Sequence, residues 1–397
     1  MTQNPGRTRW PGLLYGAVVV LTLAFLLPAV SSFFACQGLR WVYILVLSAA
    51  ISFCLTPLCI RMARRFHIID LPDERKKHDR ATPLLGGVAV FTAFLISILV
   101  NGILNPGVTA ILAAAMLLFL VGLADDIKAV PATIKLGAQV GAVAIVISQG
   151  VVLRAAPVQL GMAATLINLG LTFLWIIGIT NALNFFDGMN GLAAGLGVII
   201  SFFLSVVAYQ TGQPLVGWLS VAIMGGCLGF MPYNFRASGK AAIFLGDAGS
   251  TVIGFILASL AVYGVWSDTN PVVALVSPLL IFWVLIFDMF YITVDRIVTG
   301  KVSSVRQWLE YVGRDHLHHR LENVLGGNRK SVVFIFVLNG CLGISAVALR
   351  NADPLEAALL LIQAVLLVLL ISVLERSGRF LKKSSPPGPN QILTEKK

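Results

Sequence analysis

The residues able to do chemistry fall in a few short segments. Asp125 and Asp126 close an uncharged apolar stretch running from Leu117 to Ala124. Two adjacent carboxylates there repel one another and resist burial unless a cation joins them. Mg²⁺, a hard ion content with a few carboxylates plus substrate phosphate, suits the pair, although helix ends often carry acids for no further reason. Asn181, Asn184 and Asp187 recur at every third position, with Gly188 and Gly191 behind them. On a helix each step of three lags a full turn by about 60°. The three therefore make one winding polar stripe, which suits a polar ligand better than glue between membrane helices. Phe244-Leu-Gly246-Asp247-Ala-Gly249-Ser250 opens another apolar run. There Asp247 falls near the positive end of a helix, and the glycines let backbone approach a phosphate or a metal. A plain helix cap would read the same way.

His316-Leu-His318-His319-Arg320 gathers three of the five histidines. On a helix His316, His319 and Arg320 share a face. With no cysteine nearby, this basic cluster suits a diphosphate better than zinc. The segment from Asp70 to Gly87 carries Arg75, Lys76, Lys77, His78 and Pro83 before the Gly86-Gly87 pair. Anion binding fits it, and so does simple retention of positive charge at one membrane face. Asp288 lies inside an apolar run, eight residues before Arg296, either as a functional acid or as half of an ion pair.

Composition says what must position these groups. Of 397 residues, 57% are hydrophobic and only 12% charged, against about a quarter charged in soluble domains. That excludes an ordinary soluble enzyme and the disordered, collagen-like and disulfide-scaffold classes. The five cysteines form no metal-like pair and read as apolar packing. Apolar runs fall near 12–30, 41–60, 86–104, 107–124, 134–150, 161–180, 191–209, 213–232, 248–265, 272–293, 331–349 and 355–374. The expected fold is an all-α polytopic membrane protein of about 11–12 transmembrane helices with catalytic cytoplasmic loops. Residues 1–383 form one transmembrane catalytic domain, with 1–40 as an added N-terminal anchor and the motifs within 65–325. Residues 384–397, rich in proline, read as a disordered cytoplasmic tail.

Basic residues orient the array. Assigning alternate loops to one side, starting from the N-terminus, places 26 of the 29 Lys and Arg there and leaves Arg40, Arg154 and Arg350 on the other. Both termini and every motif then face the cytoplasm. Carboxylates, amides, histidines and cations at one membrane face describe a metal-assisted phosphate site open to lipid.

The set resembles the polyprenyl-phosphate N-acetylhexosamine-1-phosphate transferases. Arg75-Lys76-x-His78 with Pro83 and Gly86-Gly87, Asp125-Asp126 with Lys135, the Asn181/Asn184/Asp187-Gly stripe, Gly246-Asp247-x-Gly249-Ser250 and His316-x-His318-His319 occur in the family's order. The resemblance implies transfer of a hexosamine 1-phosphate from a UDP-N-acetylhexosamine, GlcNAc first among donors, to undecaprenyl phosphate, with UMP released. The setting it implies is the bacterial inner (plasma) membrane, where such enzymes start cell-surface polysaccharides. It implies Mg²⁺, with Mn²⁺ as a substitute, on Asp247 together with Asp125, Asp126 and Asp187. Asp125, Asp126, Asp247, His318 and His319 become the catalytic set. Lys77, His78, Lys135, Asn181, Asn184, Asp187, Phe244, His316 and Arg320 become the substrate-binding set, with Phe244 stacking on uracil. Asp125 or Asp126 would position or deprotonate the lipid phosphate. The expected partners are these two substrates and membrane lipid, with no nucleic-acid polymer; a homodimer is compatible.

Three features depart from the family pattern. Asn190 stands where bacterial members usually carry a second acid. The stretch from Asn234 to Asp247 lacks the usual Pro-Ala, and two apolar runs precede the first motif instead of one. The His-x-His-His-Arg form favours the N-acetylhexosamine branch over the phospho-MurNAc-pentapeptide branch. From another class, a secondary transporter would show repeated halves and polar groups at the midplane, and neither is visible.

Overall fold

The computed structural model describes residues 12–70, 81–237, 240–267, 270–304, 307, 311, 313, 315–349 and 352–384. Backbone polar groups in lipid must be satisfied within their own segment, so long apolar runs become helices. In chain order they are α1 (Gly12–Phe25), α2 (Pro28–Cys36), α3 (Arg40–Arg65), α4 (Gly86–Val100), α5 (Pro106–Ile127), α6 (Ala132–Ser148), α7 (Met162–Phe185), α8 (Leu192–Gln210), α9 (Pro214–Asn234), α10 (Gly246–Tyr263), α11 (Pro271–Ile281), α12 (Trp283–Val298), α13 (Leu317–Leu325), α14 (Asn328–Ala348) and α15 (Pro354–Ser384). The described strands are one antiparallel pair, Ile69–Asp70 with Thr82–Pro83. Starts are marked where the sequence supplies them: Asn105 accepts from the Val108 amide ahead of α5, and Pro106 occupies the first turn, where its missing N–H costs nothing.

All twelve apolar runs are helical, and the chain is a multi-pass membrane protein. Its crossings differ in detail from the expected 11–12. Among the described residues eight helices are long and apolar enough to span, or up to ten if each bent pair counts as one crossing. The run at 12–30 is not a straight anchor: α1 and α2 meet at 74°, because Pro28 cannot continue a helix and starts a new one. The run at 272–293 breaks by 80° between α11 and α12. Helix α4, at 15 residues, is about 22 Å long, short of a hydrocarbon core of about 30 Å. Helix α6 is also short, at 17 residues. The 384–397 tail, apart from Ser384, lies outside the described residues.

Helix α10 is the centre of the bundle. Its apolar window is 83% buried, against 22% for α7 and 28% for α15 at the lipid margin, and it packs on α4, α5, α7, α8 and α9. Small residues permit such contacts where apolar lipid gives no hydrophobic drive between helices. On α9, a Cβ at Gly229 would lie 2.1 Å from the Ala49 carbonyl oxygen of α3, while Ser48 donates to the Ala222 carbonyl at 2.7 Å.

Candidate active site

The motif-bearing ends meet. Asp125 and Asp126 lie in the last turn of α5, Lys135 in the first turn of α6, Asp187 just beyond α7, and Asp247 in the first turn of α10. Lys135 Nζ lies 2.6 Å from Asp125 Oδ2 and 2.9 Å from Asp247 Oδ2, joining three helices through one ammonium. Asp125 Oδ1 also accepts from the Val130 amide at 2.7 Å. Asp126 points elsewhere: its oxygens accept from the backbone amides of Asp247 (2.8 Å) and Ala248 (3.1 Å). Those are orphan donors of the α10 N-terminus, where negative charge is favoured. The adjacent acids thus turn to different partners, but burial and the charges of Asp247 and Asp125 still push the Asp126 carboxyl up to about 8.

Glycine makes this closeness attainable. Gly246 sits at φ +77°, and a Cβ there would lie 2.6 Å from Asp126 Oδ2. Gly87 and Gly249 let α4 and α10 touch backbone to backbone, since a Cβ on Gly87 would approach the Gly249 nitrogen to 2.3 Å. The amides of Gly86 and Gly87 donate to the carbonyls of Phe244 and Leu245 at 3.0 and 2.7 Å, and Phe244 donates to Pro83 at 2.8 Å. The segment before Asp247 is thus stitched to the segment before α4, and Phe244 is half-buried at the seam.

The Asn/Asp stripe is real only in part. Helix α7 ends at Phe185, and Asp187 falls in a 3₁₀ turn, Phe186–Gly188. It lies within electrostatic reach of Asp247 and Asp126, facing the Gly246 amide. Asn184 donates to Ser250 Oγ at 2.9 Å and to Thr251 Oγ1 at 3.3 Å, tying α7 to α10. Asn181 exchanges two amide hydrogen bonds with Gln139 of α6 and donates a third to Ile177. The bonds with Gln139 tie α7 to α6, and the bond to Ile177 stays within α7.

The histidines lie at the start of α13, against α12. His316 does not share the helix with His319; it precedes α13 in extended conformation. It still reaches the same neighbour as Arg320: His316 Nδ1 lies 2.8 Å from Asp288 Oδ2, and Arg320 lies 3.7 Å from Asp288 Oδ1. His316 stacks against Phe185, and His318 lies beside Phe186, with ring centroids 4.9 and 5.3 Å apart. His318 is 1% exposed, and neither of its ring nitrogens has a hydrogen-bond partner among the described residues. Burial first, then His319, His316 and Arg320, hold its ring well below the usual histidine range, so it is neutral at pH 7. A Cβ on Gly188 would lie 3.0 Å from His318 Nε2 and 3.7 Å from His319 Nε2. The histidine cluster therefore abuts the turn that carries Asp187.

Lys77 and His78 lie outside the described residues. Sequence reasoning missed Gln139 and Asn234, and it placed Ser250 in a motif without giving it a role. Asn234 is buried at the end of α9, accepts from the Gly191 amide at 2.7 Å and donates to the Ile243 carbonyl at 2.9 Å, bracing both polar loops. An asparagine ending a glycine-rich apolar run was its available signal.

Comparison with known proteins matches this sequence to a family. Residues 108–265, which hold Asp125 through Asp247, match the model of glycosyl transferase family 4. The chain is 32% identical over 356 residues to a probable undecaprenyl-phosphate N-acetylglucosaminyl 1-phosphate transferase of Bacillus subtilis strain 168, covering 88% of this chain and 95% of that protein. The chain belongs to glycosyl transferase family 4. Other members similar to it include a decaprenyl-phosphate N-acetylglucosaminephosphotransferase of Mycobacterium leprae, 29% identical over 82% of this chain and 88% of the relative. The undecaprenyl-phosphate alpha-N-acetylglucosaminyl 1-phosphate transferase of Escherichia coli K12 is 25% identical over 69% and 74%. The family resemblance carried by the motifs thus holds, and the family match spans the α5, α7 and α10 ends that meet in the structure.

Proposed function

We propose that this protein transfers N-acetylglucosamine 1-phosphate from UDP-N-acetylglucosamine to undecaprenyl phosphate at the cytoplasmic face of a bacterial plasma membrane. A new P–O–P bond joins the acceptor phosphate to the hexosamine 1-phosphate. The bond from the donor's β-phosphorus to the oxygen bridging it to the α-phosphate breaks, and UMP leaves. The observation that carries the reading is the meeting of Asp125 and Asp247 on Lys135, with Asp126 and Asp187 on the backbone amides of residues 246–248, beside a neutral buried histidine, at one end of a helix bundle. The relatives' names supply the substrate classes.

The donor set fits Mg²⁺. Among the described residues no three His, Cys, Asp or Glu side chains stand ready as a metal cage. Four carboxylates gathered near one lysine nevertheless leave excess negative charge for a divalent cation to balance. Asp125 is engaged by Lys135 and Val130, and Asp126 by two amides. Asp247 is held by the same lysine and Asp187 by the Gly246 amide, so all four acids are partly engaged. Asp247 with Asp125, Asp126 and Asp187 would together hold an ion that takes few carboxylates and completes its shell with phosphate and water. When bound, the ion neutralises charge on the diphosphate. Lys135 and the histidine cluster add donors to the same phosphates, Asp126 fixes the turn that bears Asp247, and Asp125 positions the acceptor. The remainder of catalysis is positioning.

The test is purified protein in detergent with undecaprenyl phosphate and a panel of UDP-sugars. UMP should appear fastest with UDP-N-acetylglucosamine, stop with EDTA and return with Mg²⁺ or Mn²⁺. UMP release unaffected by EDTA would contradict the metal assignment. A faster donor outside the N-acetylhexosamines would contradict the substrate assignment.

A further inference from the structure

Asp288 lies on α12, fully buried, and takes part in none of the contacts among the four acids and Lys135. Both of its oxygens nonetheless face the histidine segment. Oδ2 lies 2.8 Å from His316 Nδ1, and Oδ1 accepts from the Leu317 amide at 2.7 Å, the first orphan donor of α13. Arg320, one turn further on, brings its guanidinium to 3.7 Å of Oδ1 and lays it over the Tyr291 ring at 3.9 Å. Two turns along α12, buried Arg296 makes a two-point salt bridge with Asp315, at 2.8 Å for each bond. Asp288, Ile292 and Arg296 follow one another at intervals of four on the buried face, while Phe290, Val294, Ile297 and Val298 are exposed on the other. The 315–320 segment is thus bolted at two points to the inner stripe of the arm bent 80° from α11.

We propose that Asp288 is a positioning residue for the histidine cluster. Its carboxylate holds His316 through Nδ1–H, leaving Nε2 as the ring nitrogen available to substrate, and caps α13 so that His318 and His319 meet the Asp187–Gly188 turn. The second nitrogen of a histidine is set by the partner of the first, and a carboxylate is the strongest partner for that purpose. The salt bridge between Arg296 and Asp315 fixes the same segment one residue upstream. A carboxylate buried solely for helix packing would have no need to accept both a helix-cap amide and a ring N–H of the histidine motif. The catalytic part of this inference rests on the proposed transferase reaction.

A double-mutant cycle separates positioning from general support. With the full-length protein in detergent, Asp288→Asn should lower kcat/KM for UMP release at least about tenfold, and Asp288→Glu should recover part of it. In a His316→Ala background the same Asp288→Asn change should cost less than about twofold. Equal losses in both backgrounds would overturn the proposal, as would unchanged activity in His316→Ala. A second measurement is independent of turnover. In protein labelled with ¹⁵N-histidine, wild type should show His316 protonated on Nδ1, and Asp288→Asn should shift that signal more than that of His67. An unmoved His316 signal would overturn the proposal even if the protein turned over no substrate. Wild type without UMP release would contradict the transferase reading alone.

Discussion

Lys135 holds together two carboxylates from different helices, and its removal leaves Asp125 and Asp247 facing each other without a cation. Lys135→Ala should therefore cut the initial rate of UMP release roughly a hundredfold, the scale of losing one preorganised charge at a reacting phosphate. Lys135→Arg should not restore it, because a compact ammonium bridges two single oxygens where a planar fork does not. A rate within about threefold of wild type for Lys135→Ala would place the lysine outside the reaction. His318 makes a different prediction, in pH. Its buried ring resists protonation, so the unfolded chain binds a proton that the folded one does not once the pH falls below about 6.5. The His318 contribution is full well above that value and is lost as pH falls, by up to about 2 kcal/mol between pH 6.5 and pH 5. The raised carboxyls of Asp126, Asp187 and Asp247 work against it, favouring the folded state as pH falls. Thermal unfolding of His318→Gln should show a correspondingly smaller drop in Tm over that interval; an equal drop would assign the acid sensitivity elsewhere. Asp315 does not confuse the comparison. Burial works to raise its carboxyl, but the hydrogen bonds and charge of Arg296 outweigh it and hold it below the usual range, so its contribution is lost only at more acid pH.

Among the elements, α4 and α10 depend on having no side chains where they cross. Gly249→Ala would drive a Cβ to 2.7 Å from the Gly87 Cα, against backbone that cannot swing aside. It should lower Tm by several degrees and abolish UMP release. Gly170→Ala on α7 has nothing within 4 Å of the new methyl and should be neutral or stabilising by up to about 1 kcal/mol. Equal Tm values for the two variants would show that the crossing tolerates a gap of one methyl. Element types were legible because lipid admits few backbone solutions, and run length largely decides among them. The breaks were less legible. Pro28 marks the α1–α2 bend, but the 80° turn at Phe282 is set by packing, with Trp283 donating to Ala364 of α15 and Trp175 edge-on to Phe282. Spacing also placed Asn181 on the ligand stripe without disclosing that Gln139, 42 residues earlier, would claim its amide. Asp288 could be recognised as unusual from sequence, but its partners could not, since they lie 28 and more residues away along the chain.

For the whole molecule, the proposed function puts the end where α5, α7 and α10 converge at the cytoplasmic face, in line with the basic-residue count. The loop between α6 and α7, which includes exposed Gln159, sits at the opposite end of both helices from Lys135 and Asn184. In a background with Cys36 replaced by Ala, Gln159→Cys should react with a membrane-impermeant maleimide from outside intact cells. Ser303→Cys, beyond α12, should react only in inverted vesicles; the reverse pattern would invert the topology. The central claim is that a phosphoryl group travels with the sugar, and one labelling experiment tests it most directly. UDP-N-acetylglucosamine carrying ³²P only in its β-phosphate is incubated with the protein, undecaprenyl phosphate and Mg²⁺, and the products are divided between organic and aqueous phases. Transfer of hexosamine 1-phosphate predicts ³²P in the lipid phase together with unlabelled UMP. Sugar appearing in the lipid while ³²P stays in aqueous UDP would contradict it.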